Sequence, residues 1–371
     1  MIPFLDLKAQ YETIRDPLEQ AVLDALRSCD YVLGSPVQRF ETAFAEYCGS
    51  QEAISVSSGT SALHLALLAA GVRPGDEVVT VPMTFVATVA AILYAGAKPV
   101  LVDVDPETFT MDAQAFEDAI TPRTRAVLPV HLHGRLANMA DICDIAHRHG
   151  IVVIEDAAQA HGAERDGKRA GTFGLMGCFS FYPGKNLGAC GEGGAVVTDD
   201  PDIAATLRCL RDWGQKGKYN HVLHGYNYRL DTIQAAALDV KLRFLPSWTE
   251  SRRRIAALYD ELLDETGIQY PGSAGRDHVY HVYAIQIAER DHVKTRLADA
   301  GVSTGIHYPL PVHRQPAYSS LASGLGSFPV SERLAKNFLS LPIFPEMTET
   351  QVHDVVDALA RVAETRHVEA V

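Results

Sequence analysis

Short apolar runs alternate with segments of helical periodicity along the first half of the chain. Residues 53–56 have the pattern of a strand, and residues 61–70 that of a helix with Leu63 and Leu67 on one face. Residues 151–154 are continuously apolar, as is typical of strands buried on both faces. This alternation predicts an α/β domain in which helices flank both sides of a mostly parallel sheet. The other elements expected here are strands at 77–81, 99–104 and 126–130 and helices at 84–95, 112–120 and 139–149.

The second half has a different pattern. A glycine-rich stretch at 184–194 separates two short strand-like pieces, and long helical patterns follow at 231–245 and 247–265. We therefore predict a large α/β domain over residues 1–245, with an N-terminal helix at about 16–28, and a smaller α+β domain over residues 246–371. The smaller domain is expected to hold a strand at 279–287 and helices at 291–300 and 349–364.

Composition narrows the functional classes. The 371 residues include 33 Lys and Arg against 46 Asp and Glu, a formal net charge of −13. This acidic balance argues against broad binding of nucleic acid or anionic membranes, but it leaves phosphorylated small ligands open. No apolar run approaches the roughly 20 residues of a membrane span, and the first residues do not resemble a signal peptide. Six scattered cysteines without a Cys-x-x-Cys pair suggest reduced thiols and a cytoplasmic location.

Two segments place polar residues after predicted strands, where sheets of this kind bind ligands. Residues 57–61 join a strand to a helix, and Gly59 allows a tight turn that exposes the first N–H groups of the helix to an anion. Taken alone, this segment is better explained as an ordinary helix N-cap than as an anion-binding site. Glu155 and Asp156 follow the run at 151–154, and a buried carboxylate needs a cationic partner or several hydrogen bonds. A helix-capping aspartate is an equally good interpretation.

A third segment, residues 179–194, places Lys185 among glycines and aromatic residues. It is not a Walker A motif, because Phe179 stands where the first glycine belongs and Asn186 where Ser or Thr belongs. Most lysines are solvated surface residues, but this setting contains few other charges. Together, the three segments supply an anion-binding helix start, a buried carboxylic acid and a lysine in a confined loop. Pyridoxal phosphate requires this set for its phosphate, its pyridine nitrogen and its aldehyde.

The sequence resembles the fold-type-I pyridoxal-phosphate sugar aminotransferases of the DegT/DnrJ/EryC1/StrS group. The resemblance runs from Pro3 to the last helix and implies a mostly parallel sheet of the seven-stranded type plus a smaller C-terminal α+β domain. Relatives that carry out sugar 3-dehydration have His where this chain has Lys185, so the lysine favours transamination. The motifs that carry the resemblance are Ser58-Gly-Thr-Ser-Ala62, Thr84-Phe-Val-Ala-Thr88, Pro129-Val-His-Leu132, Glu155-Asp-Ala-Ala-Gln-Ala-His-Gly162, Phe179-Ser-Phe-Tyr-Pro-Gly-Lys-Asn-Leu-Gly188 and Gly225-Tyr-Asn-Tyr-Arg229.

The resemblance implies a role for individual residues. Lys185 corresponds to the lysine that binds the cofactor aldehyde and then acts as general base and acid. Asp156 corresponds to the partner of the pyridine nitrogen, where an ionised carboxylate keeps the ring protonated. The other implied cofactor contacts are Gly59, Thr60 and Ser180 at the phosphate, Gln159 at the ring hydroxyl, Phe85 on the ring face and Asn227 at the phosphate of a neighbouring subunit. The expected assembly is therefore a homodimer with shared active sites.

The resemblance also implies the substrates. The amino donor is expected to be L-glutamate, and the acceptor a nucleotide-linked keto-sugar of the dTDP-6-deoxyhexose type, aminated at C3 rather than C4. Pyridoxamine phosphate is the expected form between the two halves of the reaction. The candidate substrate contacts are Tyr182, Arg229, His307, Tyr308 and His313. An ordinary helix-start arginine and a structured loop with surface histidines are equally good interpretations of Arg229 and of residues 305–313.

Alternative functions stay open at this point. The chain could aminate another keto-sugar or a cyclitol ketone, could use glutamine as donor, or could be a catalytically silent regulatory protein that binds the cofactor. The pairs His131/His133 and His147/His149 have the proximity of metal ligands, but no third ligand follows at a recognisable spacing. We therefore expect no metal site.

Overall fold

One seven-stranded sheet forms the centre of the larger part of the molecule. The structure is a computed structural model that describes residues 1–264, 266–272, 274–319 and 327–369. The strands of the first 200 residues are β1 (Glu52–Val56), β2 (Glu77–Thr80), β3 (Lys98–Leu101), β4 (Thr124–Val127), β5 (Val152–Asp156), β6 (Glu164–Arg165), β7 (Lys168–Arg169), β8 (Met176–Ser180) and β9 (Gly194–Thr198). The sheet has the order β1-β9-β8-β5-β4-β2-β3, and β6 with β7 forms a separate small hairpin. Strand β9 runs opposite to the other six strands of this sheet, so the predicted mostly parallel α/β sheet is confirmed.

Helices cover both faces of this sheet. Along β1, Ala53 packs with Phe40 and Phe44 on one face, whereas Ile54 packs with Leu65 on the other. This alternation is the two-residue period of a strand, and it gives the sheet two apolar faces to bury. The helices are α1 (Leu7–Ser28), α2 (Ser35–Cys48), α3 (Gly59–Ala69), α4 (Val86–Tyr94), α5 (Ala113–Asp118), α6 (Met139–His149), α7 (Pro201–Arg211) and α8 (Thr232–Leu242).

The C-terminal part surrounds a second, two-stranded sheet. Its elements are α9 (Leu245–Leu263), β10 (Tyr283–Gln286), α10 (Arg290–Asp299), α11 (Pro329–Asn337), β11 (Phe338–Leu341) and α12 (Glu349–Glu369). Strands β10 and β11 pair antiparallel. The first residues of the chain also pack here, because Ile2 forms a bridge with Val302 and lies in the same apolar cluster. The division at residues 245/246 stays a prediction.

Some element boundaries differ from the sequence expectation. Helix α1 begins at Leu7, although we expected a start near residue 16. Pro17 lies inside the helix and Ile14 has non-helical backbone angles, so the element is a helix with an irregular turn rather than a late-starting one. Residue 265, at the end of the expected helix 247–265, lies outside the described residues.

Two global features bear on the class of protein. Within the described ranges, no helix is both long and apolar enough to cross a membrane. The same residues contain no group of three or more His, Cys, Asp or Glu side chains arranged to hold a metal ion. The cytoplasmic location stays a prediction.

Candidate active site

A cavity of about 650 Å³ lies where β1, β5 and β8 end. These strands are parallel to one another, so their carboxyl ends meet at one edge of the sheet, which is where ligands bind in such folds. Residues from the N-terminal segment and from the C-terminal part complete the wall. The predicted site residues that line the cavity are Gly59, Thr60, Phe85, Asp156, Gln159, Ser180, Tyr182, Lys185, His307 and Tyr308.

The start of α3 forms the anion-binding side of the cavity. Ser58 is the N-cap, and its hydroxyl accepts from the Ser61 N–H at 3.0 Å. Gly59 and Thr60 open the helix, where backbone N–H groups have no partner within the helix. A Cβ added at Gly59 would lie 2.6 Å from the Cβ of Ser180. Glycine is therefore needed for the helix start to approach Ser180 closely, and the pair provides donors for a phosphate.

Asp156 is a buried carboxylate at the end of β5. Its Oδ2 accepts from the Thr88 hydroxyl at 2.8 Å, and its Oδ1 accepts from the Ala158 N–H at 3.2 Å. Burial raises the pKa of Asp156, while these two hydrogen bonds and the charge of Lys185 act in the opposite direction. A buried carboxylate without an ion-pair partner is stabilised by a cationic N–H donor, such as a protonated pyridine.

Lys185 is partly buried in a closed loop between β8 and β9. The Phe181 N–H donates to the carbonyl of Gly193 at 2.8 Å, which closes the loop, and the Lys185 N–H donates to the carbonyl of Tyr182 at 2.8 Å. Burial lowers the pKa of Lys185 to about 8, although the negative charge of Asp156 acts in the opposite direction. The amine therefore has a substantial neutral, nucleophilic fraction near neutral pH.

Glu155 is adjacent to Asp156, but its hydrogen bonds give it a structural role. Its carboxylate accepts from the Nε2–H of His131 at 2.9 Å; the other nitrogen of that ring accepts from the Ala137 N–H at 3.1 Å, which fixes the tautomer. Successive strand residues point to opposite faces, so one carboxylate anchors a loop and the other lines the cavity. The backbone N–H groups bound to Glu155 are those of Gly171 at 2.7 Å, Phe173 at 2.7 Å and Gly174 at 2.8 Å.

Gln159 connects the end of β5 to the C-terminal loop. Its Nε2 donates to the hydroxyl of Tyr308 at 2.9 Å, and its Oε1 accepts from the His133 N–H at 2.6 Å. The His133 Nε2–H donates to the carbonyl of His307 at 2.8 Å, and burial lowers the pKa of His133 to about 3, so the ring is neutral. These bonds hold the ring of Tyr308 with its centroid 5.8 Å from that of Phe85.

Three predicted site residues lie away from the cavity. Asn227 is exposed and forms an isolated bridge with Asp212, which also forms an ion pair with Arg229 at 2.6 Å. His313 is buried, with its Nε2 3.1 Å from Glu332 and its ring centroid 4.8 Å from that of Phe328. The described chain alone therefore does not bring these three residues to Lys185.

Two residues that bear on the site were missed by the sequence reasoning. Thr88 does not line the cavity but supports Asp156, and a sequence signal existed, because it closes the motif at 84–88. Arg252 lines the cavity and is only 3% exposed. It lies in a run of three arginines on a helix, a pattern that normally indicates a solvated face, so the sequence carried no signal for its burial.

The donor set fits pyridoxal phosphate. The cavity combines a helix start beside Ser180, a buried carboxylate without a cationic partner at Asp156, and the amine of Lys185. These groups match the three chemical needs of the cofactor, namely a dianion site, a partner for the ring nitrogen and a primary amine.

Comparisons with known proteins identify the family of the chain. Residues 12–360 match the model of the DegT/DnrJ/EryC1/StrS aminotransferase family. The chain is 45% identical to a dTDP-3-amino-3,4,6-trideoxy-alpha-D-glucose transaminase of Streptomyces venezuelae, over 98% of this chain and 96% of that one. It is 46% identical to a pleiotropic regulatory protein of Geobacillus stearothermophilus, over 97% and 98% of the two chains.

A solved structure gives the same result. The crystal structure of S. venezuelae DesV in complex with a ketimine intermediate superposes with a TM-score of 0.95 at 45% identity, covering 98% of both chains. Other solved structures similar to this chain hold the cofactor in its pyridoxal or pyridoxamine form. The chain belongs to the DegT/DnrJ/EryC1/StrS aminotransferase family and is a sugar aminotransferase that uses pyridoxal phosphate.

Proposed function

We propose that the protein transfers the amino group of L-glutamate to C3 of a dTDP-linked 3-keto-6-deoxyhexose. Catalysis of amino transfer is supported by one observation. The amine of Lys185, whose pKa is lowered to about 8, lies in one cavity with Asp156 and the start of α3. The proposed sugar acceptor is supported by the S. venezuelae relative, whose name specifies a dTDP-linked 3-amino sugar.

The proposed cofactor contacts follow from the lining of the cavity. The N–H groups of Gly59 and Thr60 and the hydroxyl of Ser180 would hold the phosphate. Asp156, oriented by Thr88, would hold the proton of the pyridine nitrogen. When bound, pyridoxal phosphate supplies an aldehyde that takes up the amino group and a ring that accepts electrons. Gln159 at the ring hydroxyl and Phe85 at the ring face complete the proposed set.

Lys185 would move the proton that transamination requires. Its neutral Nζ removes the proton from the α-carbon of the amino donor and holds it as an ammonium ion. In the second half of the reaction, the same Nζ handles the proton on the sugar carbon that receives the amine. A lysine with a pKa near 8 suits both tasks, because it gains and loses a proton close to physiological pH.

The sugar would contact the C-terminal loop. Tyr308 is fixed by Gln159, and His307 donates to or accepts from the Ser340 hydroxyl at 2.9 Å. Burial lowers the pKa of His307 to about 4, so a neutral imidazole faces the cavity. Tyr182, which is 55% exposed, lies at the rim. Neutral donors and acceptors suit sugar hydroxyls. His313 does not contact the sugar in this proposal, because its ring contacts Glu332 and Phe328 instead.

A panel of acceptors tests the sugar assignment. The purified enzyme would be supplied with L-glutamate and with dTDP-linked 3-keto and 4-keto sugars, the corresponding UDP-linked sugars and a cyclitol ketone, and each product would be identified by NMR. We expect the highest kcat/KM with the dTDP-linked 3-keto sugar. A higher value for a 4-keto sugar or for the cyclitol would contradict the assignment. Replacing L-glutamate by L-glutamine in the same assays tests the donor.

We further propose a homodimer in which each subunit completes the site of the other. The segment 212–229 carries several exposed large apolar side chains, and contiguous apolar surface of this kind marks interaction sites. Asn227 lies in the same segment and would reach the cofactor phosphate of the partner subunit, with Arg229 beside it. The exposed apolar residues are Trp213 at 50%, Tyr219 at 80%, Val222 at 52% and Leu223 at 45%.

Mixing two inactive variants tests the shared site. Lys185→Ala and Asn227→Ala chains would be dissociated together, reassembled and assayed against each variant treated alone. A mixed dimer has one site with both intact residues, so up to about a quarter of wild-type activity is expected after random reassembly of equal amounts. No recovery above the separate variants, despite mixed dimers detected by native mass spectrometry, would count against sharing.

The alternative of a regulatory protein without catalysis, which the name of the G. stearothermophilus relative also suggests, does not fit this chain. Lys185, Asp156 and Gln159 all line the cavity, which argues against loss of catalysis. A protein that binds the cofactor but shows no spectral change with any amino donor would favour the regulatory role.

A further inference from the structure

Arg252 is a buried cation in the wall of the cavity. It extends from α9, is 3% exposed and lines the cavity with the neighbouring residues His281 and Ile343. Its Nη1 donates to the carbonyl of Tyr280 at 3.1 Å and to that of Ile343 at 2.9 Å. Its Nε is buried without a hydrogen-bond partner. One nitrogen, Nη1, therefore holds the guanidinium in place, while N–H groups on the other nitrogens are not used in hydrogen bonds.

Among the described residues, no carboxylate forms a hydrogen bond with Arg252. Glu346 acts on it electrostatically, but neither carboxylate oxygen of Glu346 has a hydrogen-bond partner, so the two groups do not form a bonded pair. Burial lowers the pKa of Arg252 to about 10, which still leaves it charged at neutral pH. A buried charge without a paired partner is costly, and an anionic ligand would relieve that cost.

The remaining cavity residues identify which anion is missing. The proposed phosphate site uses the start of α3 and Ser180 at the end of β8, whereas Arg252 belongs to α9. Among the described residues that line the cavity, Lys185 and Arg252 are the lysines and arginines, and Lys185 is committed to the cofactor and to proton transfer. Burial lowers the pKa of both His281 and His307 below the usual range, so these imidazoles add no positive charge.

We propose that Arg252 binds the carboxylate of the amino donor. This inference rests on the proposed function, in which an amino acid supplies the nitrogen. Any such donor must bring its α-carbon to Lys185 and therefore brings a carboxylate into the same cavity. Arginine binds carboxylates with strong, charge-assisted hydrogen bonds. The diphosphate of the sugar nucleotide is the other anion, but its nucleotide must project through the mouth, whereas Arg252 is almost fully enclosed.

The test separates the two halves of the reaction in the holoenzyme. Arg252→Gln and Arg252→Lys would be mixed with L-glutamate and, after amination, with the keto-sugar, and the absorbance of the cofactor would be followed in single turnovers. We expect the half-saturating concentration of L-glutamate to rise about 10- to 100-fold in Arg252→Gln and less in Arg252→Lys. Half-saturation by the keto-sugar should change less than about threefold. Glutarate cannot react, so its affinity can be measured by calorimetry. This affinity should fall together with that for L-glutamate.

Arg290 provides a matched control. It is 7% exposed, and its Nη1 also donates to two carbonyls, those of Ala335 at 3.2 Å and Phe338 at 3.0 Å, but it does not line the cavity. Arg290→Gln should leave glutamate and glutarate binding unchanged. If glutamate and glutarate binding weaken equally in Arg252→Gln and in Arg290→Gln, Arg252 has only a structural role and the proposal is overturned. Weaker keto-sugar binding with unchanged glutamate binding would also overturn it, in favour of the diphosphate.

One further donor, L-alanine, defines which carboxylate is bound. L-Alanine has only the α-carboxylate, so an equal loss for alanine and glutamate in Arg252→Gln supports binding of the α-carboxylate. A loss confined to glutamate supports binding of its side chain. If Arg252→Gln does not fold, Arg252→Lys keeps the charge and a donor for one carbonyl, and its donor-selective loss carries the same conclusion. A wild-type enzyme that accepts glutamate but none of the sugars would refute the proposed acceptor and leave the role of Arg252 standing.

Discussion

Lys185→Ala is expected to reduce turnover by at least about 10²- to 10⁴-fold, the range that general acid–base catalysis contributes. The methyl group of alanine can neither form a covalent bond to the cofactor nor move the proton of the donor α-carbon. The visible absorbance of covalently attached cofactor should be absent. Single-turnover kinetics with L-glutamate and an absorption spectrum of the purified variant would measure both effects.

Lys241 provides the control for this substitution. It is a buried lysine whose pKa is also lowered by burial, but its Nζ donates to the carbonyl of Gly188 at 2.8 Å and it does not line the cavity. Lys241→Met should therefore keep the covalently attached cofactor, even where thermal stability falls. Retained turnover in Lys185→Ala would show that another amine carries the cofactor.

Asp156→Asn is expected to lower kcat by on the order of 10²- to 10³-fold, similar to the loss of one preorganised electrostatic contact in other active sites. The amide keeps the size of the side chain and can still bond to Thr88, but it cannot hold a proton on the pyridine nitrogen. The variant should bind cofactor, since the proposed phosphate contacts at Gly59 and Ser180 are unchanged. Steady-state kinetics with cofactor in excess would separate the lower rate from weaker cofactor binding.

The same variant changes the titration of Lys185 in a definite direction. The negative charge of Asp156 favours the ammonium form and raises the pKa of Lys185. Its removal should move that pKa below about 8, so the neutral amine persists to lower pH. Competitive labelling of the cofactor-free protein with acetic anhydride, read by mass spectrometry, reports this shift. An unchanged midpoint would indicate that Asp156 and Lys185 do not interact.

Glu155→Gln is the matched control for Asp156→Asn. Glu155 is the adjacent carboxylate of β5, but it accepts from three backbone N–H groups and from His131, and it does not line the cavity. An amide accepts fewer hydrogen bonds, so Glu155→Gln should lower thermal stability while kcat per folded molecule stays close to that of the wild type. A large loss of kcat in Glu155→Gln alone would reverse the roles assigned to the two residues.

Much of the sheet and the centre of the site could be predicted from the sequence. The apolar run at 151–154 predicted β5, and parallel strands place their carboxyl ends at one edge, so Asp156 and the turn at Gly59 were expected together. Lys185 stood out because a lysine among glycines and aromatic residues is unusual. These signals are local, or they follow from general rules of parallel sheets.

The remaining features depend on packing between distant segments. Helix α2 was not predicted, and its Phe40 and Phe44 become a helical face only through contact with residues of β8 and its following loop. Arg252 looks like a solvated residue until α9 packs against Tyr280 and Ile343. His313 looked like a substrate contact because it shares a loop with His307, yet the chain turns its side chain toward Glu332. No spacing rule encodes these long-range contacts.

The closed loop around Lys185 has a consequence for the entropy of cofactor binding. Phe181 and Gly193, which are joined by a backbone hydrogen bond, are separated by only twelve positions in the chain, so closing this loop costs little conformational entropy. The loop is ordered by that bond, by the bond from the Ala189 N–H to the Phe181 carbonyl at 2.8 Å, and by the bond that Lys241 donates to the Gly188 carbonyl at 2.8 Å. The backbone that carries Lys185 is therefore preorganised, and the free energy of cofactor binding at the proposed site is not spent on ordering this segment.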